Sequence, residues 1–239
     1  MPLQRLTRPA DSGPSIDIDY ELRGDPTNQP VVLLVCGLGQ QRVEWPQEPF
    51  IKQILNTNRA VLTFDNRDCG KSTLLEHIPP SNEVVLALKE RVPFVNLNAG
   101  ASSYTLEDMA EDAILLLDGL GINRVHVVGS SMGGMIAQLI LTGYPERCRS
   151  CTIMLSCPGP GNGPHLPTIP FYLQFAAAGK LPSGYNAGLE ERVEARIKSK
   201  KHTAGVPGQG FDEQKMRREA PAFIERQGGV KPRSATSQH

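Results

Sequence analysis

The segment Val125 to Gln138, VHVVGSSMGGMIAQ, constrains the fold more than any other stretch of the chain. An apolar, β-branched run passes straight into an amphipathic helical pattern through Gly129-Ser130-Ser131-Met132-Gly133, a match to G-x-S-x-G. A serine hydroxyl attacks a carbonyl only if it is exposed and freely approached. A sharp strand-to-helix turn provides that exposure, but leaves no room for side chains two positions to either side. Gly129 and Gly133 leave the room. The backbone N–H of Met132 then opens the helix, where the unbonded amide and the helix dipole both favour a developing negative charge. A glycine-rich turn used only for packing is the plainer alternative. The strand before and the helix after favour the serine elbow, with Ser131 as candidate nucleophile and Met132 as candidate oxyanion donor.

Up to about Cys157 the chain alternates strands and helices. Ser15 to Leu22 alternates apolar and polar residues, as a half-buried strand does. Val31 to Val35 (VVLLV) and Ala60 to Phe64 (AVLTF) are short apolar runs of the kind covered on both faces, and Arg124 to Val128 and Cys151 to Leu155 follow suit. Pro46 to Asn56 reads as one helix. Thr105 to Asp118 reads as another, with Thr105 and Asp108 at capping-box spacing and Met109, Ala110, Ala113, Ile114 and Leu117 at helical intervals. This alternation predicts an α/β fold, a parallel sheet with helices on both faces. Val35-Cys36-Gly37-Leu38-Gly39 closes the VVLLV strand. The N–H of Leu38 is the candidate second oxyanion donor there, although by itself the loop reads as a simple glycine turn.

The runs CGLGQQRVEWP, VLTFDNRDCGKST and YTLEDMAEDAILLLDGLGINRVHVVGSSMGGMIAQ together resemble the α/β-hydrolase superfamily. The likeness is greatest to esterase-type members with Asp-x-Arg-x-x-Gly-x-Ser after one strand, a pattern filled by Asp65, Arg67, Gly70 and Ser72. It covers the chain from about Ile16 through Cys157 and the remainder only as a lid or cap. Cys36 stands where many members have histidine. The resemblance implies a mostly parallel α/β-hydrolase sheet and a serine hydrolase acting on small-molecule carboxylic esters with an apolar portion. Ser131 would be its nucleophile, Leu38 and Met132 its oxyanion donors, and it would need no metal or organic cofactor. Serine rather than aspartate at the elbow argues against dehalogenase or epoxide-hydrolase chemistry.

The domain boundary falls near Pro158: residues 1–157 form the hydrolase-like core, and 158–239 a cap segment with a frayed polar tail. Five prolines fall between Pro158 and Pro170. Phe171 to Ala178 (FYLQFAAA) reads as an apolar helix, as core or as the lining of a substrate cavity. Glu190 to Lys201 reads as a charged helix, and Phe211 to Gln227 as a helix interrupted or kinked at Pro221. In this superfamily an acid and then a histidine follow the nucleophile. After Ser131 the one aspartate is Asp212, an apparent helix N-cap, and His165, His202 and His239 follow no apolar strand. The expectation is a chain that stops inside or just after the cap, without the last strands, the acid or the base. It would be catalytically incomplete as it stands, or else a non-catalytic remnant or binding protein from a truncated gene or isoform.

Other motifs fail on chemistry. Gly70-Lys71-Ser72 invites a P-loop reading, but Asp65 stands where the first glycine belongs and would repel phosphate. Cys148-Arg149-Ser150-Cys151 leads into a strand rather than a helix, so two structural thiols are expected rather than a redox pair. His126 lies mid-strand, a core or interface residue. Among 239 residues, 25 Lys and Arg balance 25 Asp and Glu, so there is no global pull toward nucleic acid or a membrane surface. No apolar run approaches a membrane span. Five cysteines and no export signal point to reduced thiols and a cytoplasmic chain. The strand ending at Leu155 has no later apolar β-branched run to pair with, which predicts an exposed sheet edge and self-association.

Overall fold

The computed structural model describes residues 3–6, 15–75, 104–158, 188–203 and 211–226. They fall into two compact units, a sheet unit that runs to residue 158 and a helical hairpin from residue 188.

The sheet unit contains β1 (Leu3–Leu6), β2 (Ile16–Arg23), β3 (Val31–Val35), α1 (Lys52–Asn56), β4 (Ala60–Phe64), α2 (Leu106–Gly119), β5 (Val125–Ser130), α3 (Met132–Gly143) and β6 (Cys148–Met154). The strand order is β1-β2-β4-β3-β5-β6. The β4-β3-β5-β6 part is parallel, and β1 and β2 add antiparallel at one side. The apolar runs are continuous because the central strands bury both faces. Val31, Leu33 and Val35 join a core with Met109, Ala113, Leu117 and Ile136 of α2 and α3, while Val32 and Leu34 join Trp45, Ile51 and Val61 on the other face. α2 starts as its sequence predicts: the Thr105 hydroxyl accepts the Asp108 N–H, and the Asp108 carboxylate accepts the N–H of Thr105.

Three expectations change. The helix over 46–56 shrinks to Lys52–Asn56, preceded by a π-type turn over Gln47–Ile51 in which Glu48 is extended (φ −124°, ψ 130°). Pro49 disfavours helical backbone at the residue before it, and Pro46 and Pro49 supply no N–H donors. β1 is a strand that periodicity over four residues does not reveal. β6 starts at Cys148 rather than Cys151, because its first residues, Arg149 and Ser150, are exposed and polar.

The hairpin unit pairs α4 (Leu189–Thr203) with α5 (Glu213–Arg226) around Val193, Ile197, Ala220 and Ile224. Asp212 caps α5, as expected, by accepting the Lys215 N–H at 2.9 Å. The predicted break at Pro221 does not occur. The helix runs through it, held by Ala220 and Ile224 on the buried side. Arg217 bridges Glu194 and Glu213 across the two helices, and the Arg196 guanidinium stacks on the Phe223 ring. Phe171 to Ala178 lies outside the described residues, as does the tail beyond Arg226.

Candidate active site

Connections leave β3 toward β4 on one side of the sheet, and leave β5 toward β6 on the other. The strand order therefore reverses between β3 and β5, and in open α/β sheets ligands bind outside the carboxyl ends of the strands at such a point. Val35 is in register with Gly129. The loops that follow, Cys36 to Gly39 and Ser130 to Met132, thus emerge side by side. A Cβ built on Gly37 would lie 3.1 Å from the Ser130 carbonyl oxygen and 3.3 Å from Ser131 Cβ.

Ser131 adopts φ 55°, ψ −123°, a conformation that costs a non-glycine residue about 1–3 kcal/mol. The turn is locked around it. The Ser131 N–H donates to Met154 O at 3.0 Å, and Ser131 O accepts from Gly134 N–H at 2.8 Å and from the Ser156 hydroxyl at 2.6 Å. The glycines are required by space: a Cβ on Gly129 would sit 2.1 Å from Gly133 O, and one on Gly133 would sit 2.2 Å from Val35 O. A serine at a helix N-cap ordinarily spends its hydroxyl on the first turn. Ser131 does not: its side chain makes no capping bond, and the residue is exposed.

Two N–H groups belong to these neighbouring loops, those of Leu38 and Met132. Met132 is the first residue of α3, so its N–H has no partner within the helix. Neither it nor the Leu38 N–H donates to a backbone carbonyl among the described residues. The Leu38 loop is a tight turn in which Gln40 N–H donates to Gly37 O at 3.2 Å. Its geometry is set by two side chains that motif reading passed over. Asn66 Nδ2 donates to Cys36 O at 3.0 Å, and Gln40 Oε1 accepts the Gly37 N–H at 3.0 Å. Cys36, the departure from histidine, is fully buried beside Trp45, and burial pushes its thiol well up. It contributes backbone here and no reactive sulfur.

Asp65, Arg67, Gly70 and Ser72 build a support beneath this loop. The buried Asp65 carboxylate accepts Arg42 N–H at 2.7 Å and Lys71 N–H at 3.0 Å. Ser72 donates to Asp65 O at 2.6 Å and accepts the Asp19 N–H at 3.0 Å. Arg67 makes a two-point contact with Asp112 of α2, at 2.6 and 2.7 Å. The carboxylate that rules out a phosphate loop therefore ties the loops after β3 and β4 together.

A family profile described as alpha/beta hydrolase fold matches residues 30–184. The chain belongs to the α/β-hydrolase family. It is 31% identical over 132 residues to the rhodomycin D methylesterase DnrP of Streptomyces peucetius, a match covering 55% of this chain and 36% of that protein. It is 29% identical over 138 residues to the putative carbamate hydrolase RutD of Caulobacter vibrioides, covering 57% of this chain and 41% of that one. The matched stretch thus spans less than half the length of these curated relatives. Among solved structures it resembles a 2-hydroxy-6-oxo-6-phenylhexa-2,4-dienoate hydrolase from a Rhodococcus species, with TM-score 0.59 and 20% identity over 95% of this chain and 69% of that chain. A hydrolase from Pseudomonas aeruginosa gives TM-score 0.56 at 20% identity, over 95% and 70% of the two chains. These likenesses establish the fold.

In the sheet unit of this α/β-hydrolase the one imidazole among the described residues is that of His126. His126 lies near the start of β5, five residues from Ser131, or ~16 Å along a strand. It is half-buried and bonds Ser150 Oγ at 2.8 Å, and burial, with Arg59 and Arg149, holds it below its ordinary value. It is therefore not fully buried in the core. All five cysteines are free thiols, so Cys148 and Cys151 form no redox disulfide. No group of three metal-ligating side chains occurs among the described residues, and no helix of these is long and apolar enough to cross a membrane.

Proposed function

We propose that this chain carries the nucleophile and oxyanion half of a serine hydrolase for small-molecule carboxylic esters with an apolar portion. Ser131 attacks the carbonyl carbon, and the N–H groups of Leu38 and Met132 receive the oxygen as it becomes negative. The observation that supports this best is the backbone of Ser131. Its unfavourable conformation, with the hydroxyl uncapped near two amides that donate to no backbone carbonyl among the described residues, suits acyl transfer and is one a packing turn would avoid. The ester-cleaving relative supports the reaction class, and the exposed Leu38 and Leu155 near the elbow suit an apolar substituent. The free thiols fit work in a reducing cytosol.

A serine hydroxyl with no base to take its proton is a poor nucleophile, and His126 is the one histidine described in the sheet unit. The chain alone should therefore resist fluorophosphonate labelling and hydrolyse p-nitrophenyl esters slowly. Its oxyanion hole and binding should retain roughly 10³–10⁴ over water at most. Stoichiometric labelling, lost in Ser131→Ala, would show that a base is in place, and His165→Ala and His202→Ala would then locate it.

A further inference from the structure

We infer that Asn66 and Gln40 are positioning residues that aim the Leu38 N–H at the developing oxyanion, an inference that rests on the serine-hydrolase reading of Ser131. The peptide planes between Cys36 and Leu38 determine where that N–H points. No regular ladder fixes them, because β3 ends at Val35. Two side-chain bonds do so instead. Asn66 Nδ2 holds the Cys36 carbonyl at 3.0 Å from the floor of the site, and Gln40 Oε1 holds the next N–H, that of Gly37, at 3.0 Å from within the turn. Gly37 N–H is thus occupied, whereas Leu38 N–H donates to no backbone carbonyl among the described residues. Gln40 is anchored in turn, its carbonyl receiving the Cys69 thiol at 3.2 Å.

Asn66 shows the cost of this arrangement. It is 4% exposed, and its Oδ1 is buried without a hydrogen-bond partner. An unpaired buried carbonyl destabilises a fold. An asparagine kept only for stability would use both ends, whereas here only the end that grips the oxyanion loop is used. Asn66 also follows directly on Asp65, whose carboxylate is fixed by the N–H groups of Arg42 and Lys71. The grip is therefore mounted on a rigid support.

Benzeneboronic acid tests this without needing a base. The Ser131 oxygen bonds to trigonal boron, its proton passes to solvent, and the tetrahedral anion places an oxygen in the oxyanion hole. Affinity is measured for the intact chain and for Asn66→Leu, Gln40→Met and Gln40→Glu, with thermal melts alongside and amide NMR of Gly37 and Leu38. We expect Asn66→Leu and Gln40→Met to weaken boronate binding at least about tenfold, as misplacing a reacting group by an ångström does, and to shift both amide resonances with little change in melting. Gln40→Glu, which keeps an acceptor for the Gly37 N–H, should displace the two amide resonances less than Gln40→Met does. Unchanged Gly37 and Leu38 resonances in Asn66→Leu, or wild-type boronate affinity despite shifted resonances, would overturn the positioning role. A wild-type chain that binds no boronate would overturn the serine-hydrolase reading and this inference with it.

Discussion

Asp112 and Arg67 meet across 45 residues of sequence with both side chains almost wholly buried, 3% and 4% exposed. Their charges are affordable only together. Asp112→Ala should lower stability by about 3–5 kcal/mol, because it strands the guanidinium, whereas replacing both residues by apolar ones of similar volume should cost far less. Urea unfolding of the single and double variants separates the two outcomes. Gly133→Ala should cost at least the ~1–3 kcal/mol of an overpacked core, since its Cβ would lie 2.2 Å from backbone that has no flexible end to yield. A melt within a degree of wild type would contradict the tight elbow. These two residues also show what was legible in the sequence. Gly133 could be read because the elbow is local, five residues that run from the end of a strand into the start of a helix. The partner of Arg67 could not, because the Asp-x-Arg pattern names a side chain without naming what lies 45 residues away. Asn66 and Gln40 went unread for the same reason: their bonds are made to backbone, which leaves no trace in residue identity.

Elements with long apolar runs were legible, and elements decided by their edges were not. β3 and β4 are buried on both faces and announce themselves; β1 is four residues long and buries one side chain, Leu6. Pro46 and Pro49 were available to deny a full helix over 46–56, and the apolar periodicity of Phe50, Ile51, Ile54 and Leu55 outweighed them in the sequence pattern. β6 carries the clearest prediction at this scale. Among the described residues it pairs only with β5 and ends the sheet, with Arg149, Ser150, Thr152 and Ile153 exposed and Leu155 92% exposed just beyond it. A strand edge bearing apolar side chains is a template for another strand. We expect the chain to self-associate on size-exclusion chromatography and Ile153→Lys to reduce this. A monodisperse wild-type monomer with a sharp melt near about 45–65 °C would show that the edge is covered.

For the molecule as a whole, Glu21 is one contributor to acid stability. Burial alone would raise its carboxyl, but Arg23 and Arg42 outweigh that and hold it below the ordinary 4.5. The folded state therefore binds fewer protons than the unfolded chain in that range. The contribution is complete above about 4.5 and is lost as pH falls through the lower folded value. Glu21→Gln should flatten the acid limb of a stability-against-pH curve, and an unchanged limb would mean that other carboxylates set it. We propose that Ser131 stands bare against an oxyanion hole, in a fold otherwise held by buried pairs and two-sided strands. Boron NMR of benzeneboronic acid with wild-type chain and with Ser131→Ala tests it most directly, because adduct formation needs the serine and the two N–H donors but no base. A tetrahedral boron resonance is expected with the wild type, and only the free trigonal signal with an equally folded Ser131→Ala. The same spectrum from both proteins would contradict it.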